Sequence, residues 1–122
     1  MKFITFNSST EVVMNANSFL VGYFKSTREK IEEVFGAPTF TTEDKWEKVT
    51  VEWVIQFEDG TTVSIYDWKR YEEGTPAMDE VYEWHIGGKN TRAAILISET
   101  MSVEAYTYNF DSMSSESKKI LV

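Results

Sequence analysis

Hydrophobic and polar positions alternate most regularly between Val49 and Trp68, where Val51, Trp53, Ile55 and Phe57 are interleaved with Thr50, Glu52, Val54 and Gln56. A period of two puts each set on one face of a strand. Glu58-Asp59-Gly60-Thr61 interrupts the run and Val63 and Ile65 resume it, so the segment predicts a β-hairpin whose Asp-Gly pair suits a two-residue type I′ turn. Ser64, Tyr66 and Trp68 then share the face of Glu52 and Val54. Both faces carry aromatic rings, which predicts a sheet covered on one side by a helix and on the other by a second layer or a partner.

The pattern changes period at Ser26. Ser26-Thr27-Arg28-Glu29 has the form of a capping box, Ile31, Val34 and Phe35 follow at helical spacing, and Gly36 and Pro38 end the run, so a short amphipathic helix is predicted over 27–35. Upstream, Phe3 to Phe6 reads as a strand followed by a turn at 7–10. Glu11 to Met14 and Ser18 to Phe24 read as an antiparallel hairpin around Asn15-Ala16-Asn17. Residues 70–80 form a polar loop containing Gly74 and Pro76, expected to be the most mobile segment. Val81 to Ile86 predicts another strand. Thr91 to Met101 fits a helix through Ala94, Ile97 and Met101, or a strand through its Ile95-Leu96-Ile97 content. Val103 to Phe110 predicts a last strand, and Ser112 to Val122 a weakly ordered tail.

These elements make one α+β domain over 1–122: an antiparallel β-sheet with one or two short helices packed on it. Its size suits a single core, and 15% aromatic residues supply much of the burial. There is no cysteine, which excludes a disulfide framework and a thiolate metal site and favours a reducing, cytoplasmic setting. No signal-peptide-like or membrane-spanning apolar run occurs in the sequence. A net charge of −8 argues against direct binding to nucleic acid. The same acidity could imitate nucleic acid towards a basic partner, but the cations Arg28, Lys30, Lys45, Lys48, Lys69 and Arg70 interrupt the carboxylates along the chain.

Candidate chemistry is sparse. His85 is the only histidine, so a zinc site has no second imidazole, and no metal or cofactor is expected. As a general base it would need Asp67 or Glu83 to orient it; otherwise it is a strand histidine bonded to such a neighbour. Gly87-Gly88-Lys89 and Arg92, with His85, have the ingredients of an anion cradle but lack the spacing of a P-loop or a dinucleotide fold. They carry the alternative reading, a protein that binds a nucleotide or a signalling anion. No nucleophile elbow or paired-carboxylate spacing occurs.

The motifs Gly22-Tyr23, Phe35-Gly36-x-Pro38, Val51-x-Trp53-x-Ile55-x-Phe57-x-Asp59-Gly60-Thr61, Ile65-Tyr66-x-Trp68-Lys69 and Trp84-His85-Ile86-Gly87-Gly88 together resemble a group of small proteins encoded by tailed bacteriophages. The resemblance spans about residues 20–97. It implies a setting in the host cytoplasm, where small accessory phage proteins bind and disable or redirect host machinery, including defence systems such as CRISPR effectors. With the acidity, the aromatic surplus and the missing catalytic constellation, it leads to the expectation of a non-enzymatic protein that binds and inhibits or modulates a host protein. Tyr66, Trp68 and Trp84 are the expected contact residues, because Tyr and Trp anchor interfaces.

Overall fold

A computed structural model of the chain describes residues 1–7, 18–108 and 117–120. Among them, eight strands form one antiparallel sheet: β1 Phe3–Thr5, β2 Phe19–Ser26, β3 Phe40–Thr41, β4 Val51–Phe57, β5 Thr62–Tyr66, β6 Tyr82–Gly88, β7 Ala105–Tyr108 and β8 Ser117–Ile120. Two helices, α1 Arg28–Phe35 and α2 Arg92–Met101, complete the expected α+β architecture. Across the sheet the order is β1-β4-β5-β6-β2-β7-β8, and β3 lies beside β1 on the same edge of β4.

The inward face is the alternating set read from the sequence. Val51, Trp53, Ile55 and Phe57 of β4, Val63 and Ile65 of β5, and Trp84 and Ile86 of β6 are buried with Phe24 of β2 in one core. Trp53 and Trp84 meet there edge to face, with ring centroids 5.5 Å apart. Both helices lie on this face. From α1, Ile31 and Phe35 enter the core, and the Trp53 indole N–H donates to the Gly36 carbonyl at 2.9 Å, tying the end of the helix to the sheet. From α2, Ala93, Ala94, Leu96, Ile97 and Met101 are buried, so the segment 91–101 resolves as helix: its buried spacing outweighs its β-branched content.

Small residues set how closely α2 approaches. A Cβ on Gly22 would strike the Tyr106 carbonyl oxygen and crowd Ala94, and a Cβ on Gly88 would lie 2.5 Å from that of Ala93. Glycines on β2 and β6 therefore face alanines on α2, and the helix sits down on bare backbone.

Three local expectations are corrected. The N-cap of α1 is Thr27, whose hydroxyl oxygen accepts from the Lys30 N–H at 3.1 Å, and not Ser26. Ser26 is still paired with Tyr82 at the end of β2, and its carbonyl accepts from the Trp84 indole, so the chain leaves the sheet one residue later than a capping box at Ser26 requires. The β4–β5 turn is not type I′. Within it only Gly60 has positive φ, 89°, while Phe57 and Thr61 close a three-residue loop through Phe57 N–H to the Thr61 carbonyl at 2.8 Å. Asp59 Oδ1 accepts from the Thr61 N–H at 3.0 Å, so one left-handed residue suffices. The third concerns the end of the chain: part of the expected tail, Ser117–Ile120, is paired with β7.

The predicted hairpin partner Glu11 to Met14 lies outside the described residues; among those described, β2 is paired with β6 and β7.

Candidate functional site

The face opposite the helices takes its character from register. Glu52 of β4 is opposite Tyr66 of β5, Tyr66 opposite His85 of β6, His85 opposite Tyr23 of β2, and Tyr23 opposite Tyr106 of β7. Directly opposed side chains on neighbouring strands lie within contact range, so these five residues form one row across the sheet. His85 is ringed by aromatics: Tyr23 at 5.2 Å and Tyr66 at 5.4 Å meet it edge-on, and Trp68 stacks on it at 6.0 Å with 23° between planes. Gly87 makes room for this packing, since a Cβ there would strike Ser64 Oγ and come within 3.3 Å of the Tyr66 ring. Trp68, just past β5, is placed by its backbone N–H, which donates to Tyr82 Oη at 3.1 Å.

Burial dominates the electrostatics of the row. It holds the His85 imidazole below its ordinary pKa of 6.5, against a smaller upward pull from Asp67. It pushes the Glu52 carboxyl up, and the charge of Asp67 adds to that push. The Tyr66 phenol is raised to about 12, by burial first and then by Glu52 and Tyr23. The Glu52 carboxylate accepts no hydrogen bond and joins no ion pair among the described residues.

At the β3–β4 end the row opens into a cleft of about 720 Å³ lined by Phe40, Trp46, Glu52, Val54, Trp68 and Tyr71, among others. Trp46 and Tyr71 stack at 6.1 Å with 23° between planes, and Trp46 is 63% exposed. Asp44 Oδ1 accepts from the Trp46 N–H at 3.0 Å, which orders the loop that carries the indole. The 70–80 loop, expected to be the most mobile segment, is tied down. Arg70 makes two hydrogen bonds to the Glu80 carboxylate, at 2.7 and 3.2 Å, and lies over the Tyr82 ring. Thr75 meets Thr50 through their hydroxyls at 2.6 Å, and the Met78 carbonyl accepts from the Glu29 N–H at 3.0 Å.

The structure brings Tyr66 and Trp68 together on the open face as expected, but not Trp84. Trp84 has no exposed surface; it sits in the core against Trp53 and Tyr82, with its indole N–H donated to the Ser26 carbonyl at 3.0 Å. In Tyr82-Glu83-Trp84-His85-Ile86 the alternation itself puts Trp84 with Ile86 on the apolar face.

The anion-cradle residues are dispersed. His85 is on the open face, whereas Gly88 backs onto α2, and both glycines are paired with β2. Arg92 is committed to Asp59, with Nε and a terminal nitrogen each 2.8 Å from the same oxygen. Lys89 lines a depression of about 260 Å³ with Asp59 and Arg92. The Asp59 carboxyl is held down at about 2 by the Thr61 N–H and hydroxyl and then by Arg92, so an anion arriving here meets a carboxylate already in place. Nor does Asp67 orient His85. Its buried carboxylate accepts from the Thr50 N–H at 2.7 Å, the Thr50 hydroxyl at 2.5 Å and the Val51 N–H at 3.1 Å.

Sequence reasoning did not single out Glu52, Tyr23, Phe40, Trp46 or Tyr71 as site residues. Alternation gave Glu52 the face of Tyr66 and Trp68, but the row needs a register across five strands, and the cleft needs two loops to fold beside β4. Among the described residues no group of three or more His, Asp or Glu could hold a metal, and no helix is long and apolar enough to cross a membrane. Four ion pairs set cations beside carboxylates among the described residues: Arg28 pairs with Glu32, Lys30 with Glu33, Arg70 with Glu80 and Arg92 with Asp59. The chain matches no protein-family profile, no curated protein and no solved structure.

Proposed function

We propose that this chain is a non-enzymatic binding protein that docks a partner protein on the open sheet face and thereby inhibits or modulates it. The observation that carries the reading is the aromatic row: Tyr23, His85 and Tyr66, with Trp68 stacked on His85, stand side by side on three neighbouring strands with no described helix above them. Rings fixed in this way lose little conformational freedom on binding, and they are the side chains that anchor interfaces. The absence of a catalytic role for His85 is supported by Asp67, whose oxygens are used by Thr50 and Val51. Interleaved ion pairs favour recognition by shape over imitation of nucleic acid. Under the resemblance to tailed-phage proteins, the partner is a host protein met in the host cytoplasm, such as a component of a defence system.

The test is capture of a partner from host lysate by the wild-type chain and by Tyr66→Ala and Trp68→Ala variants. Loss of a true anchor costs about 2 kcal/mol or more, roughly a 30-fold fall in affinity. A partner retained equally by the double variant, or repeated capture of nothing, overturns the reading.

A further inference from the structure

This inference rests on the reading of the open face as a docking surface and names the chemistry the surface takes. We propose that the cleft between Trp46, Tyr71 and Trp68 receives an arginine side chain of the partner, its guanidinium against the aromatic rings and its N–H groups on the Glu52 carboxylate.

The first support is the carboxylate itself. Glu52 faces an aromatic cleft, partly removed from water, with neither a hydrogen bond nor an ion pair among the described residues. A desolvated carboxylate recovers what water gave it only from a strong donor, best a charged one. The second support is the surrounding rings. Phe40, Trp46, Trp68 and Tyr71 present quadrupoles that attract cations, and two of the chain's own lysines already lie over them: Lys45 Nζ is 5.7 Å from the Trp46 ring centroid and Lys69 Nζ 5.5 Å from that of Trp68. Glu47 and Lys48 also line the cleft, and neither forms an ion pair with Glu52. The net charge of −8 draws a basic partner from a distance.

Arginine answers these features better than lysine. Its planar group stacks on an indole and forks onto a carboxylate at once, and it gives up water more readily than an ammonium does. At about 720 Å³ the cleft holds the side chain with part of its backbone, as a segment of a folded partner would present it.

The indoles provide their own reporter. The chain has four Trp: Trp53 and Trp84 have their indole N–H groups bonded inside the core, and Trp46 and Trp68 line the cleft. Titration of the whole chain with N-acetyl-L-arginine methylamide, followed by indole ¹H–¹⁵N correlation, is expected to move the Trp46 and Trp68 signals saturably, with Kd on the order of 10 mM. The Trp53 and Trp84 signals should stay in place. The citrulline analogue, equal in shape but uncharged, and the lysine analogue should bind about tenfold more weakly or worse, as should arginine to the Glu52→Gln chain. Unmoved Trp53 and Trp84 signals in that variant certify its fold. No saturable movement of Trp46 and Trp68, or equal response to citrulline or lysine, overturns the proposal. If arginine fails while Trp68→Ala still abolishes partner capture, the docking reading stands and only the arginine assignment falls.

Discussion

The indole of Trp68 lies nearly parallel to the imidazole of His85, ring centroids 6.0 Å apart, on the side of the sheet that the helices leave open. Together with Tyr66 and Tyr23 it keeps water from His85, and the imidazole loses its proton more readily than a free one. His85 is therefore expected to titrate below 6.5, followed as the single histidine Cε1–H resonance. The linked stability is fully present above pH 6.5 and is lost as pH falls from there through the folded pKa, because between the two values only the unfolded chain binds the proton. Trp68→Ala uncovers the ring and should bring the titration back up. A His85 pKa at or above 6.5 in the wild-type chain would contradict this account.

Trp84 and Trp68 should part company on mutation. Trp84→Ala empties a site in the core beside Trp53 and leaves the Ser26 carbonyl without its donor, at an expected cost of about 3–5 kcal/mol. Trp68 is 39% exposed, and Trp68→Ala should cost only about 1 kcal/mol, the scale of its ring contacts. Urea denaturation of the two variants separates them: similar losses would mean that Trp68 belongs to the core.

Much of the fold was legible because the β4–β5 segment obeys one rule along its length. The inward set of Trp53, Ile55, Val63 and Ile65 follows from alternation alone. Glycines were harder. Gly87-Gly88 before a helix looks like an anion cradle in one dimension, yet in three dimensions each glycine answers a neighbour that sequence cannot place: Tyr66 and Ser64 at Gly87, Ala93 at Gly88. The same limit hid the cleft. Glu52 and Trp68 share a face by parity, but nothing local to residue 46 or 71 says that two loops bring their rings to that face.

Gly22 tests the close approach of sheet and helix directly. A methyl group there points at the backbone oxygen of Tyr106, which cannot rotate away as a side chain would, and at Ala94 of α2. Gly22→Ala should cost at least about 2 kcal/mol through displacement of β7 or α2. Gly60→Ala, strained in φ but with open space around its Cβ, should cost about 1 kcal/mol. A Gly22→Ala chain as stable as wild type, judged by thermal melting, would show that α2 does not rest on this backbone.

Glu52 is where stability and binding should oppose each other. Its carboxyl is pushed up by burial and by Asp67, so the folded chain holds that proton to higher pH than the unfolded chain does. The sign follows: the contribution is fully present below the ordinary value of 4.5 and is lost as pH rises through the raised folded pKa, leaving a strained carboxylate at neutral pH. Glu52→Gln keeps the shape and removes the charge. At pH 7 the variant should be more stable than wild type by about 1 kcal/mol, a common size for relief of a functional strain. The difference should vanish at pH 4, where wild-type Glu52 is protonated, while the His85 contribution cancels between the two chains. An unpaired carboxylate kept at such a cost is accounted for by a cation that arrives with the partner. A Glu52→Gln chain less stable than wild type at pH 7 would mean that the carboxylate already has a stabilising role in the free protein, and the argument for a waiting cation site would fall with it.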